Sequence, residues 1–372
     1  MRLSKAIFTS FWGLMMCLGM ASGYQASAGN FPEGMGFEAK MQYGFIIRHH
    51  LDMGLYTDRL FMAFEANTTF QASGKKLWHQ NYALPEFGIS YFYSGLGNTK
   101  ILGDVNALIP WIRFPLLKEG GFGFSIRIGL GMGYFKSPFE QFDNYKNLSI
   151  GSHLNAGILF DVESRIPLTE KIFFNAGLSF HHFSNGVIKS PDYGINIPMI
   201  TAGFLFIPRP RMNRTRLTVF PPVDKKTELR LSAHMGVKQI KPMLGPLFTT
   251  FCFSGDFFKA VSKKSKLGAG LDVFFDTSDK VVLQHDGDTI SHYSSLLKPG
   301  VKGMYELDLG QLRMFFELGL YLYGKDKNDG PIYHKLGIKY FLSSKTYVCF
   351  TLKTHYARAD YISAGFGYTL FR

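Results

Sequence analysis

Between residues 121 and 134 the chain alternates almost without interruption. Phe122, Phe124, Ile126, Ile128, Leu130, Met132 and Tyr134 take one set of positions, and Gly121, Gly123, Ser125, Arg127, Gly129, Gly131 and Gly133 take the other. Side chains two apart on an extended strand share a face, so this segment has one greasy side and one small or polar side. Residues 311–323 do the same, with Leu312, Met314, Phe316, Leu318, Leu320 and Leu322 opposing Gln311, Arg313, Glu317 and Gly319. A tilted strand of about 9–11 residues crosses a bilayer. Arg127 then escapes lipid only by facing a lumen.

Comparable runs lie near 37–49, 59–72, 86–96, 100–114, 148–163, 171–184 and 194–207, and again near 227–239, 246–258, 266–276, 297–309, 332–343, 346–356 and 361–371. About sixteen strands result, an even number that leaves both chain ends on one side of the membrane. No later segment has the roughly 18 consecutive apolar residues of a spanning helix. Aromatics nevertheless make up 16% of the chain, and glycines number 40. These features predict an all-β fold: an antiparallel transmembrane outer-membrane β-barrel of about 12–16 strands. Dense prolines from Pro208-Arg209-Pro210 to Pro221-Pro222 interrupt the strands, since proline cannot join a sheet interior. The expected organisation is a signal peptide over 1–28, one half over 29–207, a basic linker over 208–226 and a second half over 227–372. We expect both halves to share one wide barrel, because two complete barrels on one chain are uncommon.

Arg2 and Lys5, the apolar run Ala6–Met20 and the small residues Ala26-Ser27-Ala28 read as an export signal. Its removal lowers the formal net charge of +13 by two. Cys252 and Cys349 alone remain in the mature chain, too few for a disulfide framework. With export and a barrel, a basic balance suits an anionic lipid surface of the bacterial outer membrane, and no nucleic acid is expected as a partner. The terminal run Ser363-Ala364-Gly365-Phe366-Gly367-Tyr368-Thr369-Leu370 resembles the last strand by which such barrels are recognised for assembly.

One strand carries chemistry. In 171–184 the positions Ile172, Phe174, Ala176, Leu178 and Phe180 form the apolar face, and His182 and Ser184 continue it. A base beside a hydroxyl on the greasy wall of a strand is a poor way to build a soluble core. It is a sensible way to meet an ester that lives in a membrane. Counted outward from a periplasmic start this is the seventh strand, which places both residues near the outer leaflet. Asn196 shares a face of the returning strand with Pro198 and Ile200 and can approach His182 across the pair.

The stretch His182-Phe183-Ser184-Asn185-Gly186, followed by Pro191, Gly194 and Asn196, resembles the signature of the lipid A 3-O-deacylase family of outer-membrane barrel esterases. The resemblance is specific over 180–198 and extends in strand pattern over about 37–207, that family's whole eight-stranded barrel. It implies Ser184 as nucleophile, His182 as general base and Asn196 as the third catalytic residue. It further implies Asn185 with the Gly186-Val187 backbone as oxyanion and substrate contacts. Two departures stand out. Family members tend to have glycine where Val187 stands, and the best-known ones have glutamate where Asn196 stands. An amide can fix the histidine tautomer but cannot stabilise an imidazolium by charge, and Asp192 is the alternative acid. Lys189, in the same loop, is placed to meet a phosphate of lipopolysaccharide.

The resemblance therefore implies a serine esterase that cleaves an acyl ester of lipid A, with no cofactor and no metal. The competing class is a porin, transporter or binding barrel with a vestigial serine motif. Arg48-His49-His50 reads as a solvated loop at an outward strand end, and His181 as part of a polar lumen. Oligomeric state is left open.

Overall fold

The computed structural model describes residues 31–372 apart from 58, 120–121, 212–221, 224–225, 241–244, 288–292, 327, 357 and 372. The expected signal peptide and most of the expected linker lie outside the described residues. Sixteen strands follow in order. The first eight are β1 (Met35–Gly44), β2 (Phe61–Gln71), β3 (Glu86–Ser94), β4 (Val105–Glu119), β5 (Phe122–Phe135), β6 (Leu154–Pro167), β7 (Ile172–Ser184) and β8 (Ile195–Phe206). The others are β9 (Thr227–Gln239), β10 (Leu247–Ala260), β11 (Ser265–Asp276), β12 (Leu297–Leu309), β13 (Leu312–Tyr321), β14 (Ile332–Phe341), β15 (Thr346–His355) and β16 (Arg358–Phe371). Short helices α1 (Leu77–Asn81) and α2 (Asp279–His285) sit in connections.

The sheet closes twice. Strand β1 pairs with β8, from Phe37↔Phe206 to Gly44↔Met199, and β16 pairs with β9. The expected single wide barrel is therefore corrected to two eight-stranded antiparallel barrels. Once β1 and β8 have satisfied each other's backbone groups, the first sheet has no edge left to offer β9.

Alternation decides what fills each barrel. In an eight-stranded barrel the interior is just wide enough for side chains. In the first barrel Arg127 bonds Glu65 at 2.6 Å and Asp161 at 2.7 Å, and Arg113 bonds Glu163 at 2.9 Å and Glu86 at 3.0 Å. Above this ionic layer lies an apolar plug that includes Phe92, Phe135, Leu159, Phe183 and Ile197. The second barrel is filled by Arg230 on Glu306 at 2.8 Å and by Lys302, which lies 2.9 Å from each of Asp256, Asp272 and Glu317. Outward positions are apolar and exposed, among them Leu130, Met132, Leu178, Ile200 and Phe204 on the first wall and Phe253, Leu271, Leu318 and Phe366 on the second. Such belts are stable only against lipid. His181 faces the lumen as expected but joins no hydrogen-bond network there. It is fully buried and stacked on Phe92 at 4.2 Å, and neither ring nitrogen has a hydrogen-bond partner among the described residues.

The two barrels stand side by side and point the same way. At one end Asn81 Nδ2 donates to the Lys263 carbonyl at 2.9 Å and Tyr82 Oη to the Lys264 carbonyl at 3.0 Å. At the other end the β7–β8 loop meets the end of β9, where Gln239 N–H donates to the Val187 carbonyl at 2.8 Å.

Removing one member of the lumen network strands its partners without water. Arg127→Met leaves Glu65 and Asp161 short of their cation, and the variant is expected to lose about 3–5 kcal/mol of stability. Denaturant unfolding of the detergent-solubilised protein checks this; an unchanged midpoint would contradict an ionic lumen.

Candidate active site

Strand β7 positions the chemistry by simple alternation. His181 and Phe183 point into the barrel and are buried, whereas His182 and Ser184 are part-exposed on the outer wall in line with exposed Leu178. Phe183 anchors the segment from behind, packed edge-on against Phe135 with ring centroids 5.4 Å apart. The register places His182 directly opposite Asn196 on β8. Their side chains meet, with His182 Nδ1 2.7 Å from Asn196 Oδ1. An amide oxygen can only accept, so Nδ1 carries the proton and Nε2 keeps a free lone pair. That is the tautomer a general base requires.

Ser184 and His182 flank Gly194. A Cβ on that glycine would sit 3.1 Å from His182 Cε1 and 3.5 Å from Ser184 Cβ, and its φ of +75° suits glycine in any case. The Ser184 hydroxyl donates to Asp192 Oδ2 at 2.9 Å. Asp192 thus meets the serine, and the contact on His182 comes from Asn196.

Beyond Ser184 the chain turns through Gly186 at φ +63° and Val187 at φ +65°. Successive left-handed residues gather their N–H groups into a concave nest that attracts anions. Asp192 Oδ2 occupies this nest, accepting from Asn185 N–H at 3.0 Å and Val187 N–H at 3.2 Å, while Gly186 N–H donates to Ser184 Oγ at 3.0 Å. Asn185 takes part through its backbone. Its side-chain amide is committed elsewhere, to Ser152 Oγ at 3.1 Å and the Lys189 carbonyl at 2.9 Å. Lys189 is part-exposed, with Nζ 3.9 Å from Glu140.

Sequence reasoning put His49 in a solvated loop and missed its contact with Asn196. Its Nε2 lies 2.8 Å from the Tyr193 carbonyl, and its Nδ1 lies 3.4 Å from Asn196 Nδ2. The asparagine therefore has a histidine on either side. The β1–β8 register, continued past Gly44↔Met199, brings the segment after β1 to Asn196, and Ile47 N–H donates to the Asn196 carbonyl at 2.9 Å. Recognising that the barrel closes at eight strands is the signal that would have found it.

One trio could hold a metal among the described residues. Asp329, His355 and Asp360 bring ligand atoms within 4.8 Å of one another. Asp360 already lies 2.6 Å from Lys238 Nζ and 2.5 Å from Lys353 Nζ, so its charge is met.

Burial pushes the Asp192 carboxyl up to about 7 from 3.8, against the hydrogen bonds from Ser184 and the backbone N–H groups, which pull it down. The folded loop thus favours the protonated acid. Its contribution to stability is present below the unfolded value and is lost as pH rises through about 7. Opening of residues 185–194, read by amide exchange corrected for intrinsic rate, is expected to increase between about pH 5 and pH 8. The dependence should vanish in Asp192→Asn; an equal slope in that variant would reject the assignment.

Comparison with known proteins places this geometry in context. Residues 62–204 match the family model described as lipid A 3-O-deacylase (PagL), and residues 227–372 match that described as acyloxyacyl hydrolase, C-terminal domain. Over 160 residues the chain is 27% identical to the lipid A deacylase PagL of Bordetella bronchiseptica, covering 42% of this chain and 81% of the relative. Among solved structures, Neisserial surface protein A is 9% identical with a TM-score of 0.34, covering 47% of this chain and 97% of that one. The toluene transporter TodX of Pseudomonas putida is 10% identical with a TM-score of 0.18, covering 93% of each chain.

Proposed function

We propose that this chain, whose residues 62–204 match the lipid A 3-O-deacylase family model, is a serine esterase that removes an ester-linked acyl chain from the lipid A part of lipopolysaccharide. It is a barrel protein of the bacterial outer membrane, the compartment of that substrate. The observation that carries the reading is the outward Ser184 hydroxyl, set over a nest of backbone N–H groups beside a histidine whose tautomer Asn196 sets.

In this reading the acyl carbonyl of a bilayer lipid approaches the wall from the side and displaces the Asp192 carboxyl from the nest. Ser184 Oγ, released from Asp192, attacks the carbonyl carbon as His182 Nε2 takes its proton. The N–H groups of Asn185, Gly186 and Val187 then receive the oxygen on which negative charge develops. Donors fixed in that position before the reaction commonly contribute a few kcal/mol to the transition state. The sugar hydroxyl leaves with the proton from His182, and water releases the fatty acid from Ser184 by the reverse sequence. Asn196 holds the ring but brings no charge to the imidazolium, so turnover is expected to be slower than with a carboxylate there. In this reading the Lys189 ammonium, 3.9 Å from Glu140, pairs with a phosphate group of the substrate.

The filled lumens of both barrels argue against the pore reading, since ionic side chains occupy the space that a conducting channel would need. Mass spectrometry of lipid A from cells producing the wild type is expected to show loss of one hydroxyacyl chain. Ser184→Ala should reduce that conversion by at least ~10³-fold. Identical lipid A profiles from wild type and variant, with both proteins folded in the membrane, would reject the esterase, and single-channel recording would then test conductance.

A further inference from the structure

The oxyanion turn contains a residue ill suited to it. Gly186 reaches a left-handed φ freely, but Val187 adopts φ +65° with a β-branched side chain, a conformation that persists only where the surroundings hold it. From its own barrel Val187 has its N–H held by Asp192 at 3.2 Å. Its carbonyl is held by the other barrel, through the N–H of Gln239, the last residue of β9, at 2.8 Å.

Two more contacts reinforce that one. Gln239 Oε1 accepts from Ser190 N–H at 2.8 Å, while its Nε2 donates to the Gly245 carbonyl at 2.8 Å and so orients the amide. Ile362, on β16 opposite Val237 of β9, lies over Gly186. A Cβ on Gly186 would come within 2.4 Å of Ile362 Cγ1, so the glycine permits a close approach as well as a turn. Residues 186, 187 and 190 are thus all touched by one patch of the second wall.

We propose that the second barrel is a positioning element of the esterase site, with Gln239 and Ile362 holding the Gly186–Val187 turn so that its N–H groups converge on the acyl oxygen. The proposal rests on the reading of Ser184 as nucleophile. It gives the 227–372 barrel, which carries none of the catalytic residues named above, a part in the reaction. It also accounts for valine at this position, because support from outside the first barrel replaces the freedom that glycine would supply.

Full-length Gln239→Ala keeps the backbone N–H on Val187 but removes the side-chain hold on Ser190 and the brace to Gly245. It is expected to lower kcat about tenfold with KM little changed, because the turn contacts the oxyanion more than the bound lipid. Val187→Gly in the same chain should bring kcat back to within about threefold of Val187→Gly alone, since glycine needs no outside support to hold φ positive. A general folding defect would not be repaired by that glycine. Amide exchange at residues 186–190 should be faster in Gln239→Ala than in the wild type, whether or not the protein is an esterase. Unchanged exchange there, or a kcat deficit that Val187→Gly leaves in place, would overturn the proposal. Wild-type and Ser184→Ala proteins that leave lipid A equally intact would overturn the esterase reading, and the exchange measurement would still decide whether the second barrel holds the turn.

Discussion

Inside a bilayer an unpaired backbone N–H or C=O finds no water, and this constraint shapes the rest of the molecule. Strands can cross only if every edge is paired, which forces closure. The first sheet meets the requirement at eight strands through β1 and β8, and the second meets it independently through β9 and β16. Closure at eight then dictates narrow lumens, and narrow lumens dictate that inward charges neutralise one another. Arg127, Lys302 and their carboxylates are the result. The candidate site inherits its location from the same rule, since a lumen filled by side chains leaves room for a lipid only on the outer wall.

That location gives the chemistry its character. The wall around His182 and Ser184 is apolar, so under the proposed esterase reading the substrate would meet the site from within the lipid and bring little water with it. The polar groups that the reaction needs come from the strand end and the loop behind it, where the backbone turns through Gly186 and Val187. In the resting protein the nest holds Asp192, a carboxylate that burial brings close to neutrality near pH 7. In the proposed reaction, a carboxyl that yields its charge so readily is well suited to leave the nest.

Much of this was legible residue by residue. Alternation in 171–184 placed His182 and Ser184 on the greasy face, as a period of two that any extended chain obeys requires. The pairing of Asn196 with His182 could be anticipated because adjacent antiparallel strands meet opposite residues. Asp192 was harder. It was expected beside the histidine and lies on the serine, because a loop's path through left-handed residues has no period to read. His181 was taken for a polar neighbour and is instead stacked on Phe92, a partner from β3 that local pattern does not reveal.

By itself, the order of residues determined which elements form, which side chains face lipid and which strand bears the reactive pair, since each is set by neighbours close along the chain. Only the tertiary structure decided that there are two barrels, that His49 backs Asn196 and that Gln239 from the second wall bonds the Gly186–Val187 turn. Those outcomes depend on which sheet edges find each other, and on how two closed walls come to rest together. Contacts between residues fifty or more positions apart leave no mark in local alternation.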